Sequence, residues 1–397
     1  MFLSPPLNSY LFVLPWTLEC DGGVNQVVEN LMNFMERHGD YRPLLMVNSW
    51  SDTSIRQQEI KGRHHFFFRL RSLYDAKIPL RNLIAFIIYL PFALLKINKF
   101  INSEHVAAIN FHFCDLSAFN VSILKILGLF RGKLILSFHG ADVIAAIKTK
   151  GLEKILYKIL LKSADLIVTC SEQLKTEMIS LNHKCSNHVM CIHNGIDVGL
   201  LANARCSNSI IDSKLRQRGY ILNVATYEFK KGQDVLINAF FKISNLFPNI
   251  DMVIIGRPAE SSHTLKVLID SLALGHRVWL YENVPHDKIL AFFQKAMIFA
   301  LPSRYEPFGI VILEAGLFSI PVVATKVGGI PEILTHGQTG RLCDADDVEG
   351  LAGELTYLLE NPDERAKIGQ NLHQHVAESF TWEQAYLKYM KCVRGVL

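Results

Sequence analysis

The sequence predicts an α/β chain made of two doubly wound domains. Strand-like apolar runs alternate with helix-period segments along the chain, and the alternation restarts once, at Tyr220. The length agrees, because 397 residues is long for a single domain. Half of the residues are hydrophobic and a fifth are charged, the composition of a globular chain with ample core. The net charge of +4 is mild and does not suggest nucleic acid as a partner. Eight cysteines are scattered without C-x-x-C or zinc spacing, so the expectation is reduced thiols and no metal site. The opening, MFLSPPLNSYLFVLP, lacks the basic region and cleavage site of a signal peptide. No apolar run reaches the roughly 18–20 residues of a membrane span.

In the first domain, residues 10–15 (YLFVLP) read as a strand, VNQVVENLMNFMERHG as a helix ending at Gly39, and residues 43–48 (PLLMVN) as the next strand. Gly22 and Gly23 lie at the strand-to-helix turn, where either a close ligand or a plain tight turn would use glycine. Residues 56–100 hold nine basic side chains against only Glu59 and Asp75. Among them is LIAFIIYLPFALL (83–95), interrupted by Pro91 and expected to be a core helix. Its basic flanks fit a second reading, a helix lying in the interface of an anionic membrane. Residues 106–113 and 133–138 read as parallel strands. His139 and Gly140 follow the second of these at its carboxyl end, the edge where doubly wound sheets hold ligands. Asp142 either caps the next helix or meets a ligand. Lys150, Lys154, Lys158 and Lys162 form one stripe of the helix over 151–162, read as a solvated face, with anionic head groups as the alternative. Strands over 165–170 and 189–192 enclose a helix over 171–180, and the polar stretch 202–214 is the expected linker.

The second domain continues with strands over 252–257, 278–281, 297–301 and 321–325, and with helices over 287–295, 347–360, 363–379 and 381–397. The run DADD (344–347) reads as an acidic helix start. The densest signal is residues 303–332, SRYEPFGIVILEAGLFSIPVVATKVGGIPE. Its pattern is strand, loop, helix, with Glu306 in the loop, Pro307 opening the helix and Glu314 about two turns in. Apolar neighbours on both sides imply that Glu314 is buried. A buried carboxylate is costly without strong partners, and a ribose diol would supply two donors. The N–H groups of Phe308, Gly309 and Ile310 would form an anion-friendly helix start. Gly328 and Gly329 precede a further helix start at Pro331-Glu332.

With its E-x7-E pair, the run IPVVATKVGGIPEIL preceded by Ser319 where glycine is usual, and TGRL at 339–342, this stretch resembles the signature of retaining glycosyltransferases of family GT4. The resemblance runs nearly end to end, strong over 220–342 and weak over 40–105. It implies the GT-B fold: two Rossmann-like domains facing a cleft, residues 1–200 for the acceptor and 215–379 for a nucleotide sugar, with a helix over 380–397 crossing back to the first domain. By resemblance Glu314 holds the ribose, and Glu306 and His139 are the catalytic-site groups beside the donor sugar. Lys231, the amides of Phe308, Gly309 and Ile310, and Gly328 and Gly329 meet the diphosphate, and Gly22 and Gly23 face it. The chain departs from the pattern at Ala225 and Thr226, where Gly-Arg is usual. One diphosphate cation is therefore missing, with Lys230, Arg257 or the Thr226 hydroxyl as candidate replacements. The implied reaction moves a sugar from a nucleoside-diphosphate sugar, UDP- or GDP-linked, by same-face attack without a metal or a cofactor. The acceptor expected from the basic, apolar flank is a cell-envelope glycan precursor, on a lipid carrier or lipopolysaccharide core. The implied setting is the cytoplasm, at the inner face of the membrane. A sugar-nucleotide epimerase and a non-catalytic nucleotide-sugar binder are the alternatives.

Overall fold

A computed structural model describes residues 7–18, 22–60, 62–75, 77–199 and 218–395. The chain divides into two compact units, residues 1–193 with 382–397, and residues 194–381. The expected linker over 202–214 lies outside the described residues, as do Cys20 and Cys206. None of the six described cysteines forms a disulfide.

The sheet of the first unit contains β1 (Ser9–Leu14), β2 (Arg42–Asn48), β3 (Arg56–Ile60), β4 (Arg63–Phe68), β5 (Val106–His112), β6 (Lys133–Phe138), β7 (Leu166–Thr169) and β8 (Val189–Cys191). Their order is β3-β4-β2-β1-β5-β6-β7-β8. All pairs are parallel except β3 with β4. β1 is buried along its whole length, as a central parallel strand covered on both faces must be. The helices are α1 (Gly23–His38), α2 (Pro79–Ser103), α3 (Phe119–Ile126), α4 (Ala141–Lys148), α5 (Gly151–Ser163) and α6 (Glu172–Leu181). Gly39 ends α1 in the left-handed region at φ 67°, which only glycine adopts without strain.

Two expectations for residues 56–100 are corrected. The basic stretch conceals a hairpin, β3 and β4, whose outer strand is polar and exposed, as suits the edge of a sheet. The apolar run faces the core on one side only, and Pro91 does not cut it. α2 runs 25 residues through Pro91, and an 18-residue window has a mean hydropathy of 1.8 with only 28% buried. By length and composition it is therefore long and apolar enough to cross a membrane, contrary to the expectation from the uninterrupted runs. Pro91 lies on the exposed side, so the Ile87 carbonyl that loses its N–H partner can turn to water.

The second unit has a wholly parallel six-stranded sheet of β9 (Gly219–Val224), β10 (Ile250–Gly256), β11 (Val278–Glu282), β12 (Ile298–Leu301), β13 (Val322–Thr325) and β14 (Arg341–Cys343). The order is β11-β10-β9-β12-β13-β14. Its helices are α7 (Gln233–Ser244), α8 (Ser262–Ser271), α9 (His286–Phe293), α10 (Ile310–Leu317), α11 (Ile330–Ile333), α12 (Val348–Glu360) and α13 (Pro362–Ser379). Asp347 caps α12 by accepting from the Gly350 N–H at 2.8 Å, as the acidic run predicts. The last helix, α14 (Trp382–Arg394), belongs to the first unit. There Trp382, Tyr386 and Tyr389 are buried with Val27 and Leu31 of α1, and Tyr386 donates to Asp40 at 2.5 Å.

Ser319 stands just past the end of α10 at φ 56°. This is the left-handed position that closes many helices, and it explains why glycine is usual there. Ser319→Gly is expected to stabilise the second unit by roughly 0.5–1 kcal/mol, the relief of strain less the greater freedom of the unfolded chain. Chemical denaturation checks this, and an unchanged midpoint would show that the strain is absent.

Candidate active site

Leaving aside the antiparallel edge strand β3, the strand order reverses at β9 against β12 in the second unit and at β1 against β5 in the first. The loops leaving the carboxyl ends of such a strand pair splay apart and open a crevice for ligands. The densest sequence signals sit on these loops.

In the second unit β9 leads into residues 225–232 and β12 into residues 302–309. Gly232 has φ 67°, and a Cβ there would lie 2.0 Å from the Pro302 carbonyl oxygen, so glycine lets the two loops touch. Arg304 fastens them. It pairs with Asp234 at 2.7 Å and Asp346 at 2.6 Å, donates to the Phe229 carbonyl at 2.6 Å, and stacks 3.8 Å over the Phe229 ring. Lys231 Nζ then lies 2.8 Å from Glu306 Oε2, and both are largely buried. Ser303 Oγ donates to the same oxygen at 3.3 Å. The Gly328–Gly329 turn closes over this loop. Gly329 N–H donates to the Glu306 carbonyl at 3.1 Å, and a Cβ on Gly328 would lie 1.7 Å from that oxygen. Lys231, Glu306, Gly328 and Gly329 are thus brought together.

The start of α10 differs from expectation. Pro307 stays in the loop, and the helix begins at Ile310, because Gly309 at φ 99° cannot be helical. No side chain caps this start. The first amides of the helix, Ile310 among them, have no carbonyl four residues back within it. Phe308 is buried directly before Gly309. Glu314 is the fifth helical residue and 3% exposed. His286, at the start of α9, donates through Nε2 to Glu314 Oε1 at 2.8 Å. The other carboxylate oxygen makes no hydrogen bond to the described residues. At the departure from the usual Gly-Arg, Thr226 uses its carbonyl to accept from Gln233 at 2.9 Å and the Glu228 N–H at 2.8 Å. Lys230 pairs with Glu228 at 2.5 Å.

In the first unit His139 follows β6, and Asp142 holds the turn. Its buried carboxylate accepts from the N–H groups of His139 at 2.9 Å, Gly140 at 2.8 Å and Val143 at 3.0 Å. Burial raises this carboxyl to about 6 against the pull of those donors. His139 Nε2 lies 3.0 Å from His112 Nδ1, with the rings stacked 5.2 Å apart. Nε2 of His112 is buried without a hydrogen-bond partner among the described residues. A lone pair there costs less than a stranded N–H, so the network assigns the shared proton to His112. His139 then carries its own proton on Nδ1, which has no protein partner among the described residues. Burial holds His112 well below its usual range and His139 down at about 4, so both are neutral near pH 7. Gly22 has φ 166°, ordinary extended backbone, with open space where a side chain would go, and Gly23 is the first residue of α1. Local backbone geometry therefore does not demand glycine at Gly22.

The family models for "Glycosyltransferase Family 4" and "Glycosyl transferases group 1" match residues 21–200 and 210–375, so that together they take in both units. The chain belongs to the GT4-type glycosyltransferases. It is similar to a glycogen synthase of Mycobacterium tuberculosis, 29% identical over 56% of this chain and 52% of that one. It is also similar to a D-inositol 3-phosphate glycosyltransferase of Corynebacterium diphtheriae, 28% identical over 62% of each. The chain thus spans about half the length of the first of these relatives. Among solved structures, HepE of Anabaena in complex with UDP superposes with a TM-score of 0.74 at 20% identity, over 98% of this chain and 100% of that one. The fold is GT-B, with two Rossmann-like sheets.

Within this chain, sequence reasoning missed His112, His286 and Ser303. His112 carried the same signal as His139, a polar residue at the carboxyl end of a central parallel strand. The histidine pair gives a prediction. Groups whose folded pKa is depressed below the usual 6.5 bind fewer protons folded than unfolded, so stability is lost as pH falls from 6.5 towards 4. Asp142, raised to about 6, works in the opposite direction between about 4 and 6. His139→Asn is expected to flatten the acid-side fall in the unfolding midpoint of the first unit, read by thermal denaturation across pH. Parallel curves for variant and wild type would refute the assignment.

Proposed function

We propose that this chain is a retaining glycosyltransferase using a nucleoside-diphosphate sugar, UDP- or GDP-linked. The observation that supports it most is the meeting of Lys231 and Glu306 beneath the Gly328–Gly329 turn, where the strand order reverses. Glu314 takes the ribose hydroxyls on its unused oxygen, with His286 yielding or sharing the other. Lys231, the α10 amides and the Gly328–Gly329 turn receive the diphosphate, and Glu306 orients the sugar. His139, with its proton on Nδ1, is the donor that the first unit offers to a sugar hydroxyl. In the reaction the bond from the anomeric carbon to the diphosphate oxygen breaks, and a bond to the acceptor hydroxyl forms on the same face. The acceptor's proton passes to the departing phosphate, whose charge the cation and amides stabilise.

The proposed acceptor is a cell-envelope glycan on a lipid carrier or lipopolysaccharide core, glycosylated at the cytoplasmic face of the membrane. Glycogen synthase and the D-inositol 3-phosphate glycosyltransferase carry names that point to other acceptors, so this part of the reading rests on the apolar, basic flank over residues 56–100. A thermal-shift panel of UDP- and GDP-sugars tests the donor, since a specific ligand raises the melting temperature by mass action. Release of free sugar from the stabilising donor, or its transfer, supports a transferase. Rapid epimer formation without acceptor would replace this reading with an isomerase, and stabilisation with neither hydrolysis nor transfer would leave a binding protein.

A further inference from the structure

The outward face of α2 is apolar. Leu80, Ile84, Ile87, Ile88, Phe92 and Leu95 are 40–75% exposed, and their spacing of three and four places them on one stripe. The opposite side of the same helix carries the buried Asn82, Phe86, Ala93, Ile97 and Phe100, and Phe100 packs edge-on against Phe66 of β4 at 4.8 Å. α2 is thus apolar on both sides, one turned into the unit and one turned out. α3 packs against both α2 and α5. α5 repeats the feature, with Leu152, Ile155 and Ile159 about half exposed. Near its start, burial raises the carboxyl of Glu153, and the charge of Asp75, just before α2, adds to the effect. An exposed apolar face of this size needs an occupant.

Charge identifies the occupant. Arg81, Lys96 and Lys99 border the α2 stripe, and Lys154, Lys158 and Lys162 run along one edge of the α5 stripe, all exposed. Asp75 and Glu153 are the only carboxylates within residues 75–103 and 148–163. Large aliphatic side chains flanked by long cationic ones match the layered chemistry of an anionic bilayer surface, acyl chains beneath and phosphates above. We propose that α2 and α5 form a membrane-docking surface on which the first unit lies in the interface of an anionic bilayer. α2 does so without spanning it, because its other side is committed to the core of the unit. The proposal stands on exposure and charge. It deepens the reading of a lipid-linked acceptor without depending on the donor site.

The test is sedimentation of the purified protein with vesicles, either phosphatidylglycerol mixed with phosphatidylcholine or phosphatidylcholine alone. Wild type is expected to pellet with the anionic vesicles, less so as salt rises. Ile88→Glu with Leu95→Glu is expected to weaken this by at least about tenfold through lost apolar insertion. Lys154→Gln with Lys158→Gln should weaken binding to anionic vesicles only. These positions are exposed, and circular dichroism confirms that each variant folds. No partition into either vesicle, or equal partition of wild type and the glutamate variant, overturns the proposal. So does a dimer in vesicle-free solution that the glutamates dissociate, which would make the face a contact between two copies. Donor binding, measured by calorimetry without vesicles, reports separately on the active-site reading.

Discussion

Glu314→Ala is expected to abolish detectable binding of the nucleotide-sugar donor while leaving the chain folded. The carboxylate sits on α10 among buried apolar residues, and one of its oxygens makes no hydrogen bond to the described residues. Two ribose hydroxyls donating to an ionised acceptor in such surroundings contribute about 1.5–3 kcal/mol each, so losing them weakens binding by ~100-fold or more. Stability should change little, because the substitution removes a poorly satisfied buried charge and His286, being 38% exposed, can turn to water. Glu314→Gln separates shape from charge and should fall between the two. Calorimetry that finds normal donor affinity in Glu314→Ala would remove the ribose role from the proposed donor site in the second unit.

Lys231→Ala is expected to cost both stability and donor binding, and the two losses can be separated. The ion pair with Glu306 is largely buried. Removing the cation strands a carboxylate whose remaining side-chain partner among the described residues is Ser303 at 3.3 Å, a loss of about 3 kcal/mol for a broken buried pair. Lys231→Met combined with Glu306→Gln removes both charges and should recover most of the unfolding midpoint. It should not recover donor binding, since the diphosphate then loses its cation at a site where Thr226 already replaces one. A double variant that binds donor like wild type would show that Lys231 serves the fold alone. A single variant with wild-type stability would show that the pair contributes nothing.

What the sequence made legible follows from what side-chain chemistry alone can encode. Glu314 announced itself because a carboxylate inside IVILEAGL can only be buried. The glycines at 232 and 328 sit where the motif spacing put them, and the coordinates supply the reason, a backbone oxygen that leaves no room for a Cβ. Two strand sequences and a start point were hidden. The polar β3 looks like a solvated loop until its partner β4 is known, and the start of α10 depends on the positive φ of Gly309, which composition does not reveal. His286 became visible only as the partner of Glu314, 28 residues away, whereas His112, 27 residues from His139, carried a strand-end signal whose meaning the pairing supplies. α2 shows the deepest limit. Periodicity reveals that a helix has an apolar stripe, but not that a second stripe faces outwards.

The placement of α14 has a consequence for how the chain is made. Its aromatic residues fill the interior of a unit whose other elements were translated some two hundred residues earlier. During synthesis the second unit, continuous from 194 to 381, can close as soon as it leaves the ribosome, whereas the first must wait with a gap beside α1 until α14 emerges. The usual order of assembly, amino-terminal part first, is thereby inverted, and a nascent chain stalled before Trp382 would expose that unfinished interior to chaperones and proteases.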